Sequence, residues 1–223
     1  MKKKYWVILV ILLVLIVDQA LKIYIKTTYA YGGGFNIFGL NWARIYFVEN
    51  EGMAYGMKLG GEYGKLLLSV FRITMVIVLF FLLVKLIKSN ERLSLLISFS
   101  LIIAGAIGNI IDSAFYGMIF SATPQFHGGV AQLFPPEGGY ASFLHGKVVD
   151  MLYFPMIDTH LPSWIPKWGG DRFIFFQPIF NIADSAITVG VVTLLLFNRS
   201  FFTSKEEKKQ DKKISTDIQK EEE

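Results

Sequence analysis

The chain has no cysteine among its 223 residues, so disulfide staples and thiolate nucleophiles are excluded. Histidine is scarce. His127, His145 and His160 form neither an HExxH pattern nor a tight cluster with acids, which leaves metal hydrolysis without a ligand set. No serine–lysine pair stands where a peptidase of that type needs one. No internal repeat occurs. Charge is thin as well: 18% of residues are Asp, Glu, Lys or Arg, and few of these interrupt the apolar runs.

What is present is hydrophobic: 53% of residues are hydrophobic and 15% aromatic, and the mean hydropathy is +0.46. Four apolar segments approach the ~20 residues that cross a bilayer. They run from about Tyr5 to Ile25, Lys65 to Ile87, Leu93 to Asp112, and Phe173 to Phe197. The composition and these runs predict an integral membrane protein, mainly α, with one bundle of four transmembrane helices. The opening MKKKYWVILVILLVLIV has the look of a signal peptide, but no small-x-small cleavage site comes after it, so a retained first helix is expected.

The net charge of +4 is a topology signal and not a nucleic-acid footprint. Lys2, Lys3 and Lys4 precede the first span. Lys85, Lys88 and Arg92 fill the short link between the second and third. Arg199 and a lysine-rich tail come after the fourth. In a four-span arrangement all three clusters fall on one side, so both termini are expected in the cytoplasm. Two long outer loops result, about 26–64 and 113–172. The first, with FNIFGLNWARIYFVENEGMAYGM, reads as short strands forming a small sheet at the membrane surface. The second is rich in Gly, Pro and aromatics, and Trp164, Trp168 and Phe173 suit an interfacial belt. Residues 1–202 are taken as one membrane domain, and 203–223 as a charged cytoplasmic tail without catalytic role, expected to be disordered.

The chemistry is expected at carboxylates. Asp184 lies in FNIADSAITVG and Asp150 in GKVVDMLYFP. An ionisable group at membrane depth is costly and usually functional, and two close carboxylates can share a proton and divide acid and base roles. If the fourth helix begins at Pro178, Asp184 lies ~9 Å inside its outer end. Asn109 and Asp112 are three residues apart, as are Asn181 and Asp184, so on a helix each pair shares a face. Asp18 and Lys22 are placed to pair along the first helix, with Arg72 as another partner for Asp18. Asn50 and Gly52 line the site from the first outer loop.

The ordered set VDQALK, NEGMAYG, GAIGNIID, VVDML and FNIADSAITVG resembles the lipoprotein signal peptidases, the type II signal peptidases of bacteria. The resemblance spans all four apolar segments and both outer loops. It implies an aspartyl endopeptidase, with no metal or other cofactor, that removes signal peptides from prolipoproteins whose cysteine already carries a diacylglyceryl group. It implies Asp150 and Asp184 as the catalytic pair, with Asp18, Lys22, Asn50, Asn109, Asp112 and Asn181 around them. The fold implied is four transmembrane helices with a small extracytoplasmic β-cradle and a mobile outer segment. The partners implied are diacylglyceryl-modified prolipoproteins and membrane lipids, with no nucleic acid and a monomeric enzyme in the bacterial inner membrane.

Two departures stand out. The family commonly carries Arg directly after the aspartate of its GNxxD motif, where this chain has Ser113; Arg72 or Lys147 is the expected substitute. The stretches from Asp112 to Asp150 and from Asp150 to Asp184 are also longer than usual, which enlarges the outer region. Two other classes compete. A transporter would spread its charges from side to side, whereas the inner halves of these spans are nearly free of them. A non-enzymatic lipoprotein-binding scaffold would not need two aspartates in one place. An intramembrane peptidase of the GxGD type has no GxGD here.

Overall fold

In a computed structural model of the protein, residues 2–51, 61–125, 128–199 and 201 are described. The apolar runs fold as helices because a chain in hydrocarbon must satisfy its backbone groups internally. Helix α1 spans Lys3–Thr28, α2 Gly61–Lys88 and α3 Leu93–Ile111. The α3 run does not stop at Asp112, as the sequence suggested. It passes through a π-helical turn, Asp112–Tyr116, into a short α4, Gly117–Ile119. These three runs are long and apolar enough to cross a membrane. The last helix, α5 (Ile182–Phe197), is apolar but has 16 residues, about 24 Å at 1.5 Å per residue.

The expected start of α5, at Phe173 or Pro178, is therefore corrected. Phe173 lies in strand β5 (Arg172–Phe175), and Ile179–Phe180 form strand β6. The sheet captures those two residues, and Asn181 then opens the helix. Its side chain accepts from the Asp184 backbone N–H while the Asp184 side chain accepts from the Asn181 N–H, a reciprocal capping box. Asp184 thus sits in the first turn of α5 rather than a few turns inside it.

Helix α3 is central, packing against α1, α2 and α5. Small residues let it approach α5. A methyl at Gly105 would fall 2.2 Å from the Ala183 carbonyl oxygen, and one at Gly108 would fall 3.1 Å from Ala183 Cβ and 2.8 Å from Asp18 Oδ2 on α1. Away from the site, Val7, Leu83, Leu86, Leu95, Leu96, Phe99 and Ile103 form a buried apolar core between α1, α2 and α3.

The expected small sheet is present and draws on both outer loops. Strands β1 (Gly34–Asn36), β2 (Arg44–Asn50), β3 (Val148–Tyr153) and β6 pair antiparallel in the order β1-β2-β3-β6. Asp150 lies opposite Val48, and Leu152 opposite Ile45. One extra residue on β2 between these pairs makes a bulge, which bends the strand and re-aims its last residues, Val48 to Asn50. Alternation along β3 sends Val149 and Met151 into a second core with Ile25, Ile45, Phe47, Tyr116 and Phe120. Asp150 points the other way. Strands β4 (Ile157–His160) and β5 form a separate two-stranded hairpin.

The long stretch after α4 folds back over the end of the α3 run. Ala141 N donates to Gly117 O at 2.9 Å, Leu144 N to Ala114 O at 3.3 Å and Gly146 N to Ser113 O at 2.8 Å. Carbonyls left open at the helix end are satisfied in this way.

Candidate active site

The site forms where β3 and the first turn of α5 meet α1 and α3. Two asparagines link the two aspartates. Asn181 Nδ2 donates to Asp150 Oδ1 at 2.7 Å and to Asn109 Oδ1 at 3.1 Å. Asn109 Nδ2 donates to Asp184 Oδ1 at 2.8 Å. The amide of Asn50, at the end of β2, donates to the other oxygen of Asp150 at 3.2 Å. Each carboxylate is therefore oriented by an amide whose own position is held elsewhere. The two environments differ, since Asp150 is 3% exposed while Asp184 is half-buried. Burial first, and the nearby charge of Asp184 second, push the Asp150 carboxyl up to about 7.

Beneath this pair lies a second layer, fully buried. Lys22 Nζ is 2.9 Å from Asp18 Oδ2, 2.8 Å from Asp112 Oδ2 and 3.0 Å from Asn109 Oδ1. Each of these two acids also holds a backbone N–H. Asp18 Oδ1 accepts from Ala183 N at 2.9 Å, and Asp112 Oδ2 accepts from Val149 N at 3.1 Å. Ala183 directly precedes Asp184, and Val149 directly precedes Asp150. One lysine on α1 thus ties together the two carboxylates that fix the backbone ahead of each site aspartate. An isolated buried charge would be costly, but here the cation has two counter-charges and an amide oxygen.

All of the described candidate residues converge: Asp150, Asp184, Asp18, Lys22, Asn50, Asn109, Asp112 and Asn181. Gly52 and His127 lie outside the described residues, as does the charged tail, 203–223. Arg72 on α2 is within electrostatic reach of Asp184, Asp150 and Asp112, in that order of strength. Lys147 instead lies 3.8 Å from Glu49. Ser113 turns back within the π-helical turn and donates to Asn109 O at 3.1 Å. Of the two cations considered as substitutes at Ser113, Arg72 is the one that feels the charges of the site carboxylates.

Sequence reasoning missed two groups. Gln19 Nε2 donates to Asp18 Oδ2 and Asp112 Oδ1, both at 3.0 Å, and its Oε1 accepts from Tyr116. Its place beside Asp18 in VDQALK was the available signal. The other group is a buried pair, Lys26 and Glu49, shared with Thr123, whose hydroxyl lies 3.0 Å from Lys26 Nζ and 2.7 Å from Glu49 Oε1. Lys26 also stands over the rings of Phe120 and Tyr140. This cluster docks the longer outer stretch onto α1 and β2. Lys26 lies one helical turn beyond Lys22, a spacing that hinted at a shared face.

The chain is similar to known membrane proteins. The family described as signal peptidase (SPase) II matches residues 10–200. The lipoprotein signal peptidase of Porphyromonas gingivalis strain ATCC 33277 is 52% identical over 187 residues, covering 83% of this chain and 79% of that protein. That of Amoebophilus asiaticus is 35% identical over 206 residues, covering 90% and 80%. A solved bacterial membrane enzyme superposes with a TM-score of 0.56 at 26% identity, over 89% of this chain and 90% of that one. The family match covers most of the chain and a relative is 52% identical over 83% of it, and on that ground the chain belongs to the signal peptidase II family.

Proposed function

We propose that this membrane peptidase removes signal peptides from diacylglyceryl-modified prolipoproteins, cutting just before the lipid-modified cysteine, with Asp150 and Asp184 as its catalytic pair. The observation that carries this reading is the asparagine bridge, Asp150–Asn181–Asn109–Asp184, at the foot of the sheet. Asp184 takes the ionised role. It sits in the first turn of α5, where the helix dipole favours negative charge, and it is the more accessible of the two to water. Asp150, raised to about 7, holds the shared proton.

In the forward step Asp184 takes a proton from water as the oxygen bonds to the scissile carbonyl carbon. Asp150 gives its proton to the carbonyl oxygen, and a tetrahedral gem-diol forms. In collapse, the proton on Asp184 passes to the leaving nitrogen and the C–N bond breaks. One hydroxyl proton of the diol returns to Asp150 as the carboxylate product forms, and the new carboxyl loses its remaining proton to solvent. The acyl chains of the substrate remain in the bilayer beside the helices, which holds the scissile bond at the level of the two aspartates. We place both termini in the cytoplasm and the site at the extracytoplasmic face of the bacterial inner membrane, because the basic clusters share one side. A single chain contains every group the reaction uses, which fits a monomeric enzyme.

The test is cleavage of a purified prolipoprotein with and without its diacylglyceryl group, in detergent. The lipid-modified form is expected to yield a product beginning at the modified cysteine, and the unmodified form to be cut at least tenfold more slowly. Equal cleavage of both would remove the lipid from the recognition.

A further inference from the structure

The hairpin β4–β5 lies in the extended stretch between Asp150 and Asp184, and its two faces differ. The register pairs Ile157 with Phe175, Asp158 with Ile174, Thr159 with Phe173 and His160 with Arg172. Side chains alternate, so Ile157, Thr159, Phe173 and Phe175 share one face while Asp158, His160, Arg172 and Ile174 share the other. The second face carries a bidentate ion pair, with Arg172 Nε and Nη2 at 2.7 and 2.6 Å from the two Asp158 oxygens. The first face is apolar but for Thr159, and it is open: Ile157 and Phe175 are each 50% exposed. At the tip, Trp164 and Trp168 are 79% and 60% exposed. A lone two-stranded hairpin is marginal in water, and this one leaves its apolar face uncovered by protein.

The root of the hairpin is packed onto the sheet just ahead of α5. Phe154 and Phe176 both pack against Phe180 of β6, with ring centroids 5.7 and 6.0 Å away. Residues 176–181 then lead into α5, a reach of at most about 20 Å. The hairpin leaves the sheet at the end marked by the Arg44–Tyr153 pair, the end that also bears the β1–β2 turn with its exposed Phe38 and Trp42. Exposed aromatics at a bilayer boundary are the composition of an interfacial belt.

We propose that the 157–175 hairpin is a membrane-surface anchor. Its Ile157, Phe173 and Phe175 face and its Trp164 and Trp168 tip lie in the headgroup region of the leaflet on the active-site side. The polar Asp158–Arg172 face looks to water. Because the hairpin joins the strand of Asp150 to the helix of Asp184, this anchor sets the depth of both. The proposal rests on the membrane-embedded fold and not on the aspartate chemistry.

The absence of native cysteine makes the test direct. Single cysteines replace Thr159 or the adjacent His160 in the full-length chain, each carries a nitroxide label, and the protein is placed in lipid nanodiscs. The Thr159→Cys label is expected to collide several-fold more with oxygen than with an aqueous nickel chelate, and the His160→Cys label the reverse. Nickel access at both positions would overturn the anchor by placing the hairpin in water. A Thr159→Cys label reached by neither reagent would overturn it too, showing the face covered by protein. Prolipoprotein cleavage by both labelled proteins is measured alongside and reports the native fold. If that substrate proves wrong, the depth contrast still decides the anchor.

Discussion

At the scale of single residues, the proposed mechanism makes Asp150 the source of the pH dependence. Its carboxyl is raised from the ordinary 3.8 to about 7, so the folded protein favours the neutral form. The stability that this form contributes is present at low pH and is lost as pH rises through about 7. In the proposed mechanism the same ionisation removes the acid. Cleavage measured as kcat/KM is therefore expected to fall as pH rises through about 7, and a flat profile from 6 to 9 would contradict the proton assignment. Lys22 provides a stability test. Lys22→Met leaves Asp18 and Asp112 buried together without their cation. It should cost about 3–5 kcal/mol in unfolding measured in detergent, with partial recovery when Asp18→Asn and Asp112→Asn are added. Arg72 is the third case. Arg72→Met is expected to lower activity at least tenfold, and Lys147→Met to leave most of it, because Lys147 faces Glu49. Ser113→Arg should restore part of the Arg72→Met loss if the two positions serve one charge.

At the scale of elements, the approach of α3 to α5 controls the position of Asp184. Gly105→Ala would drive a methyl into the Ala183 carbonyl, one residue before Asp184. Activity is expected to fall more than tenfold while the membrane fold is retained, and wild-type turnover would show that α5 shifts without consequence. Much of this element structure was legible beforehand. Apolar length marked α1, α2 and α3, and the Asn-x-x-Asp spacings marked the polar face of the site. The start of α5 was misplaced because the apolar run continues upstream through Phe173, and hydropathy does not separate a strand from a helix end. Long-range pairing decided it, as Leu152 and Tyr153 hold Phe180 and Ile179 in the sheet. The same limit hid Lys26 and Glu49, whose partnership closes through Thr123, 74 residues beyond Glu49. The roles of Asp18 and Asp112 were legible only as polarity, since their bonds to Ala183 N and Val149 N depend on the packed fold.

At the scale of the whole molecule, the chain is a membrane bundle that lifts a small sheet to the level of its helix ends and brings two aspartates together there. Its orientation is testable. Reporter fusions after Lys88 and within 128–139 should report opposite sides, because the basic clusters fall on the side of the Lys88 link. An outside signal at that link would invert the arrangement. The central claim is that Asp150 and Asp184 act as one unit on a prolipoprotein bond. The most direct measurement is cleavage of diacylglyceryl-modified prolipoprotein by the Asp150→Asn, Asp184→Asn and doubly substituted proteins, each shown to be folded by its unfolding midpoint in detergent. Each single variant is expected to lose at least a thousandfold in kcat, with the double variant hardly worse than either. Appreciable turnover in both folded single variants, or losses that multiply in the double, would contradict the dyad.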